Sequence, residues 1–324
     1  MLSTVIPVYN EAESLEALHE ELSGVAEEHG YQLDIVFVDD GSTDESWDMI
    51  ERLAEKDSRI RGIRFRRNFG KAAALSAGFE AARGEIVFTL DADLQDDPSE
   101  MPRFLEEMEN GHDVVSGWKK VRHDPIHKTL PSKIFNGLVS WTTGVKLHDH
   151  NCGFKCYRRE IFDEVRLYGE LHRFVPVLAN ARGWKVGEVV VNHRARQYGQ
   201  SKYGFRRFVK GFLDLMTVYF LTGFDQRPQH MLGTVGIGSF CFGLFGLVYM
   251  AAYWCIKVGY DIPDEVMKPL HQRPLVIYSM GALLLGAQLM SIGFLAELMT
   301  AYFGREHVTY SVRQRIGDED DASG

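Results

Sequence analysis

Two long stretches without a formal charge constrain this 324-residue chain more than any other feature. From Met231 to Ile256 there are 26 residues with no Asp, Glu, Lys or Arg, and from Leu275 to Ala296 there are 22 more. At ~1.5 Å rise per residue, either run as a helix could cross a hydrocarbon core of ~30 Å. Buried core helices of a soluble domain are the competing assignment. Uncharged runs this long, paired near one end of the chain, favour membrane spans. The average composition hides them, because 25% charged residues and a mean hydropathy of -0.18 describe an ordinary globular protein.

Charge flanking the spans sets an expected topology. Arg206, Arg207, Lys210 and Arg227 precede the first run, and Arg305, Arg313 and Arg315 follow the second. The loop between them mixes Lys257, Lys268 and Arg273 with Asp261, Asp264 and Glu265. A positive-inside bias therefore places both termini and the preceding 230 residues in the cytoplasm. The opening MLSTVIPVYN has no charged segment followed by an apolar one, so no secretory signal is expected there. The four cysteines, Cys152, Cys156, Cys241 and Cys255, suggest structural thiols rather than a disulfide framework or a metal site.

The first 120 residues alternate strand-like and helix-like runs. Strands are expected at Thr4–Val8, Ile35–Val38, Ile60–Phe65 and Ile86–Leu90. Helices are expected from Glu11 to Glu28, from a cap at Ser42 or Thr43 to Lys56, and from Lys71 to Arg83. Such alternation implies a mainly parallel sheet covered on both faces. Ligands bind sheets of this kind at the carboxyl ends of the strands. Tyr9-Asn10-Glu11, Asp39-Asp40-Gly41 and Asp91-Ala92-Asp93 then share one rim. Beyond Trp118 the pattern loosens. A short helix over Ile134–Thr143, a turn into a strand over Asp149–Arg159 and a strand over residues 184–192 are expected. A helix over Tyr203–Thr222 begins basic and becomes apolar, which suits a segment in the membrane interface.

The stretch TLDADLQDDP, residues 89–98, puts four aspartates at the end of an apolar strand. Asp91 and Asp93 alternate along the chain, and Gln95 adds a neutral oxygen two residues on. Hard oxygen ligands suit Mg2+ or Mn2+ shared with substrate phosphates and water. Asp96, Asp97 and Pro98 read as the end of the loop and the start of the next helix. Basic groups gather elsewhere: residues 59–71 and 194–210 each carry six and no acid. Beside membrane spans, such stretches point to anionic lipid or a phosphorylated substrate rather than nucleic acid.

VIPVYNE near the start, VDDGSTD at 38–44, NFGKAAAL at 68–75 and LDADLQDDP at 90–98 together resemble the family-2 inverting glycosyltransferases, in order and spacing. DHNCGFKCYRR at 149–159, GQSKYGFRRF at 199–208 and the two C-terminal runs narrow the resemblance to polyprenyl-phosphate glycosyltransferases. That group includes dolichol-phosphate mannose synthases and bacterial undecaprenyl-phosphate glucosyltransferases. The resemblance implies a GT-A-type, Rossmann-like α/β domain, interfacial amphipathic helices and two transmembrane helices. The corresponding segments are 1–200, 201–230 and 231–304, with a cytosolic acidic tail over 305–324.

The same resemblance implies residue roles. Pro7, Tyr9, Glu11 and Lys71 belong to the nucleotide-sugar pocket, with Asp39 or Asp40 at the base or ribose. Asp91 faces the sugar–ribose side, while Asp91, Asp93 and Gln95 form the metal and diphosphate set. Asp149 lies near the acceptor, as a catalytic base or an orienting group. Ser201, Lys202, Arg206, Arg207, Arg122 and Lys128 are candidates for the acceptor phosphate. The implied reaction moves a hexose, favoured as glucose from UDP-glucose because NCGFK resembles the bacterial branch, onto polyprenyl phosphate. GDP-mannose is the alternative donor, and a non-catalytic scaffold that keeps the fold is the alternative class. A second copy of the chain, a flippase and a glycosyltransferase using the lipid-linked sugar are the implied protein partners.

Overall fold

The computed structural model describes residues 1–120, 126–165, 171–194, 214–218 and 228–303. They form two compact units, divided at Thr222 and Gly223. In the first, strands and helices alternate: β1 (Leu2–Val8), α1 (Leu15–His29), β2 (Leu33–Asp39), α2 (Ser46–Lys56), β3 (Ile60–Arg64), α3 (Lys71–Ala81) and β4 (Ile86–Thr89). Then follow α4 (Met101–Glu109), β5 (Val114–Trp118), α5 (Ile126–Thr143), β6 (Lys155–Arg158), α6 (Ile161–Glu164), α7 (Val175–Ala181) and β7 (Val186–Val190).

The strands make one seven-stranded sheet in the order β3-β2-β1-β4-β6-β5-β7. β1 pairs parallel with β2 and β4, and β2 with β3, as the alternating pattern predicts. β6 runs antiparallel between β4 and β5, and β7 closes the edge parallel to β5. Alternate side chains enter opposite cores, because successive strand residues face opposite ways. Ile6, Phe37 and Phe88 pack with Leu15, Leu18, Leu22 and Phe104 on one face. Val5, Val36 and Val38 pack with Leu75, Phe79 and Val175 on the other. Both faces are covered, so β1 and β2 are buried at nearly every position and mostly apolar.

β1 lies where the strand order turns, with β2 on one side and β4 on the other. The Val8 carbonyl accepts from Asp40 N–H on the β2 side, and the Val5 carbonyl accepts from Leu90 N–H on the β4 side. Pro7 shares the phase of Val5, so its missing N–H falls on the β4 side, beyond the last β1–β4 pair, Val5–Thr89. A proline costs no ladder bond there, and the two strands part to open a crevice at the topological switch point.

Two elements begin elsewhere than the sequence suggests. α2 starts at Ser46 rather than after Ser42 or Thr43, because residues 42–46 bond to another loop. Ser42 Oγ accepts from Asn10 N–H (2.9 Å), Ser46 Oγ from Glu11 N–H (2.9 Å), and Asn10 Oδ1 from Thr43 N–H (2.8 Å). α5 starts at Ile126 and runs through Pro131, eight residues before the expected start at Ile134. A proline in the second turn forfeits one backbone bond without ending the helix. Within the expected helix over Tyr203–Thr222, a helical turn at residues 214–218 is described. There Leu215 and Val218 are buried with Val139 and Phe174, while Met216 is exposed.

The second unit is a hairpin of α8 (Pro228–Gly259) and α9 (Pro274–Phe303). Mean hydropathy reaches 1.9 over Gln229–Gly259 and 1.8 over Pro274–Met299, long and apolar enough to cross a membrane. Only 17% and 11% of their most apolar windows are buried, so they are not the core helices of a soluble domain. Glycines let the two backbones touch. A Cβ on Gly243 would lie 2.4 Å from Leu283 N, and one on Gly286 would lie 2.4 Å from Phe240 N. Ser239 Oγ donates across the same seam to the Ala282 carbonyl (2.7 Å), the small-residue packing expected in lipid.

Candidate active site

The carboxyl ends of β1, β2 and β4 meet at a cavity of about 470 Å³. Its rim includes Pro7 near the end of β1, Tyr9 and Glu11 after it, Asp40 after β2, Lys71 at the start of α3, and Asp91, Asp93 and Gln95 after β4. A second cavity of about 630 Å³ opens beside it, and Tyr9 and Asn68 line both. Its other walls include Gly41, Thr43, Arg64, Arg66 and Arg67, so the basic 59–71 stretch flanks the site. Gly41 is needed at this wall for two reasons. Its φ is 71°, and a Cβ there would lie 2.4 Å from the Arg67 carbonyl carbon.

The neighbouring acids Asp39 and Asp40 diverge. Asp40 turns into the cavity and accepts the N–H groups of Phe69 (2.6 Å) and Gly70 (2.9 Å), fixing the loop that delivers Lys71. Burial raises its pKa, partly offset by those two bonds. Asp39 is fully buried beneath the turn, where Oδ1 accepts from Ser42 N–H (2.9 Å) and Oδ2 lies 3.5 Å from Arg64 Nε. Thus Asp40, and not Asp39, lines the cavity.

Each aspartate of TLDADLQDDP has different partners. Asp91 is ion-paired with Lys71. Burial by itself would raise its pKa, but the Lys71 ammonium, aided by Lys119, holds it well below the usual carboxylate range. Asp93 is 6% exposed and accepts from Gln95 N–H (3.2 Å), a tight turn that puts Leu94 at φ 59°. A buried leucine in the left-handed region is strained, and such strain gathers at functional sites. Asp96 is buried against Lys119 (2.8 Å), and Asp97 caps Ser99 N–H (3.1 Å) while pairing with Arg194 (2.8 Å).

The opposite wall comes from elements that carried no predicted site residue. Lys155, first residue of β6, is 3% exposed, and its ammonium donates to the carbonyls of Cys152 and His150. Burial lowers its pKa. His172 and Arg173, on a 3-10 turn (Leu171–Phe174), also reach the cavity. Burial, then the charges of Lys71 and Arg173, pushes the His172 pKa down and keeps the ring neutral. Lys155 had a sequence signal, a lysine among the buried residues Phe154, Cys156 and Tyr157, where an unpartnered charge is rare. His172 and Arg173 had none.

Asp149 is 1% exposed and does not line the cavity. Its Oδ1 accepts from Asn151 N–H (3.1 Å), and Asn151 does line it. Arg122, Ser201, Lys202, Arg206 and Arg207 lie outside the described residues, and Lys128 is placed on α5 by its backbone alone.

Residues 3–166 match the family described as glycosyl transferase family 2, half of the chain. The chain belongs to this family. It is 35% identical to a dodecaprenyl-phosphate galacturonate synthase of Rhizobium johnstonii over 99% of this chain and 94% of that protein. It is 36% identical to an undecaprenyl-phosphate 4-deoxy-4-formamido-L-arabinose transferase of Shewanella sediminis, over 98% and 92%. Among solved structures, glucosyl-3-phosphoglycerate synthase from Mycobacterium tuberculosis, crystallised with Mn2+, UDP and phosphoglyceric acid, superposes with a TM-score of 0.54. The match covers 68% of this chain and 78% of that one at 15% identity, which speaks for the fold alone. In this family 2 glycosyltransferase the matched region contains the strand ends that form the rim and also β6.

Proposed function

We propose that this protein transfers a glycosyl group from a nucleotide-activated sugar to a polyprenyl phosphate, inverting the anomeric carbon. The observation that carries the proposal is the meeting of Asp40, Lys71, Asp91, Asp93 and Gln95 in one crevice at the switch point of the sheet. The two apolar helices and the polyprenyl-phosphate enzymes among its relatives support a lipid acceptor. Tyr9, Pro7 and Glu11 form the side of the pocket assigned to the nucleotide. Asp40 acts there indirectly, by fixing the 68–70 loop.

In the proposed step, a phosphate oxygen of the acceptor bonds to the anomeric carbon. The bond from that carbon to the nucleoside diphosphate breaks, and the diphosphate oxygen keeps the electron pair. A phosphate monoester has a second pKa of ~6 and is already mostly dianionic at neutral pH. No proton has to be removed from the nucleophile, so positioning and charge compensation dominate. Asp149 fits an orienting role, since it holds the turn that carries Asn151.

A divalent cation fits the donor chemistry of the crevice. Asp93 and Gln95 supply hard oxygens, whereas Asp91 is paired with Lys71. Among the described residues no group of three His, Cys, Asp or Glu could hold a metal. Two protein ligands are nevertheless the usual complement for Mg2+ or Mn2+ shared with a diphosphate. When bound, the cation supplies charge neutralisation to the departing diphosphate.

A UDP-hexose, with UDP-glucose as the first case, is the favoured donor. Purified protein incubated with labelled UDP- and GDP-sugars, Mg2+ or Mn2+ and polyprenyl phosphate should yield a labelled, organic-extractable glycolipid. No glycolipid across the whole panel sinks the proposal. Label from GDP-mannose alone replaces the favoured donor and keeps the reaction class.

A further inference from the structure

Gly153, in the turn before β6, has no conformational need to be glycine, since its φ is outside the left-handed region. What excludes a side chain is Asp91. A Cβ on Gly153 would lie 2.6 Å from Asp91 Oδ2, 2.9 Å from Cγ and 3.0 Å from Oδ1. The carboxylate lies directly against the bare α-carbon. On its other side stands the Lys71 ammonium, bonded to Oδ1. The backbone of this turn is tied to the same strand end, because Thr89 Oγ1 donates to the Gly153 carbonyl (2.8 Å). Thr89 ends β4, two residues before Asp91.

We infer that Gly153 is a positioning residue for the donor sugar. Its missing side chain gives the Asp91 carboxylate a seat between β6 and Lys71, from which it accepts hydrogen bonds from sugar hydroxyls. Any substituent at 153 turns the carboxylate out of that seat. The inference rests on the proposed nucleotide-sugar reaction and adds a residue from outside the DADLQ stretch. It also separates two parts of the donor, since the diphosphate lies toward Asp93 and Gln95 and the sugar toward Asp91 and Gly153.

Gly153→Ala should lower kcat/KM for UDP-glucose about 100-fold, the scale of a ~1 Å misplacement, with GDP-mannose as a parallel arm. Binding of UDP, which lacks the sugar, should change less than about twofold by calorimetry, a split that a merely unstable protein would not show. A thermal cycle tests the contact without activity. Gly153→Ala should lower the melting temperature, and adding Asp91→Ala should recover most of that loss, because the group the new Cβ meets is gone. Gly187→Ala is the control, since a Cβ there meets the His112 ring at 2.7 Å away from the cavity. It should lower the melting temperature with UDP-glucose KM unchanged. Wild-type kcat/KM in Gly153→Ala, or a melting loss undiminished by Asp91→Ala, overturns the inference. Wild-type protein that binds none of these nucleotides overturns the proposed function instead, and the thermal cycle then decides the Gly153–Asp91 contact alone.

Discussion

Asp93 and Asp96 are three residues apart and both buried, yet they should fail in opposite ways when changed. Asp96→Asn removes the buried negative charge 2.8 Å from the largely enclosed Lys119 ammonium, a loss on the order of 3 kcal/mol in unfolding experiments. Donor KM should stay within a few-fold. Asp93→Asn should unfold like the parent and lose more than about 100-fold in turnover, the range for removing one electrostatic contact to a reacting group. Asp149→Asn should turn over nearly normally across pH, since the amide oxygen still accepts from Asn151 N–H; loss of activity recovered by raising pH would mark Asp149 as a base instead. His150 sets a stability limit. Burial first, then the Lys155 charge, pushes its pKa from 6.5 down to about 4. The unfolded chain therefore binds a proton between those values that the folded chain refuses. Stability is complete above pH ~6.5 and falls by up to about 3 kcal/mol toward pH ~4. His172 shifts with the same sign, so His150→Gln should flatten the pH dependence of the melting temperature without abolishing it. The alternation of Asp91, Asp93 and Gln95 was legible because the residues after one strand reach the rim together. His172 and Arg173 were not, because only the tertiary path of a distant 3-10 turn brings them there.

Elements were legible where one period dominates. The strands β1 to β4 and the helices between them follow from apolar runs punctuated by Gly, Asp and Ser. The direction of β6 was not legible, since an apolar run has the same pattern whichever way it pairs, and its antiparallel place between β4 and β5 is set by the long excursion through α5. The start of α2 was displaced by bonds to a loop 32 to 35 residues away. The two helices α8 and α9 were legible from missing charge, whereas their seam of small residues emerges only from the packing. Gly243→Leu should force the helices apart at the Leu283 and Ser279 backbones. The detergent-solubilised protein should then show a lower melting point for the hairpin, with UDP affinity unchanged. An unaltered melt would show that the seam is not held there.

At the scale of the whole molecule, a polar crevice on an α/β unit shares one chain with two membrane-length helices. A water-soluble donor and a lipid acceptor account for both features, and a phosphate acceptor, mostly anionic at neutral pH, would need no strong base. The proposed reaction cleaves the bond between the sugar and the nucleoside diphosphate, so the fate of the phosphorus atoms reports on it. The decisive measurement is the stoichiometry of purified enzyme given a nucleotide sugar and polyprenyl phosphate, with released nucleotide and lipid product both followed by mass spectrometry. One nucleoside diphosphate should be released per glycolipid, and the lipid product should contain a single phosphorus and the inverted anomer. Release of nucleoside monophosphate with a lipid diphosphate-sugar, or sugar retained with its original anomeric configuration, would contradict the proposed reaction.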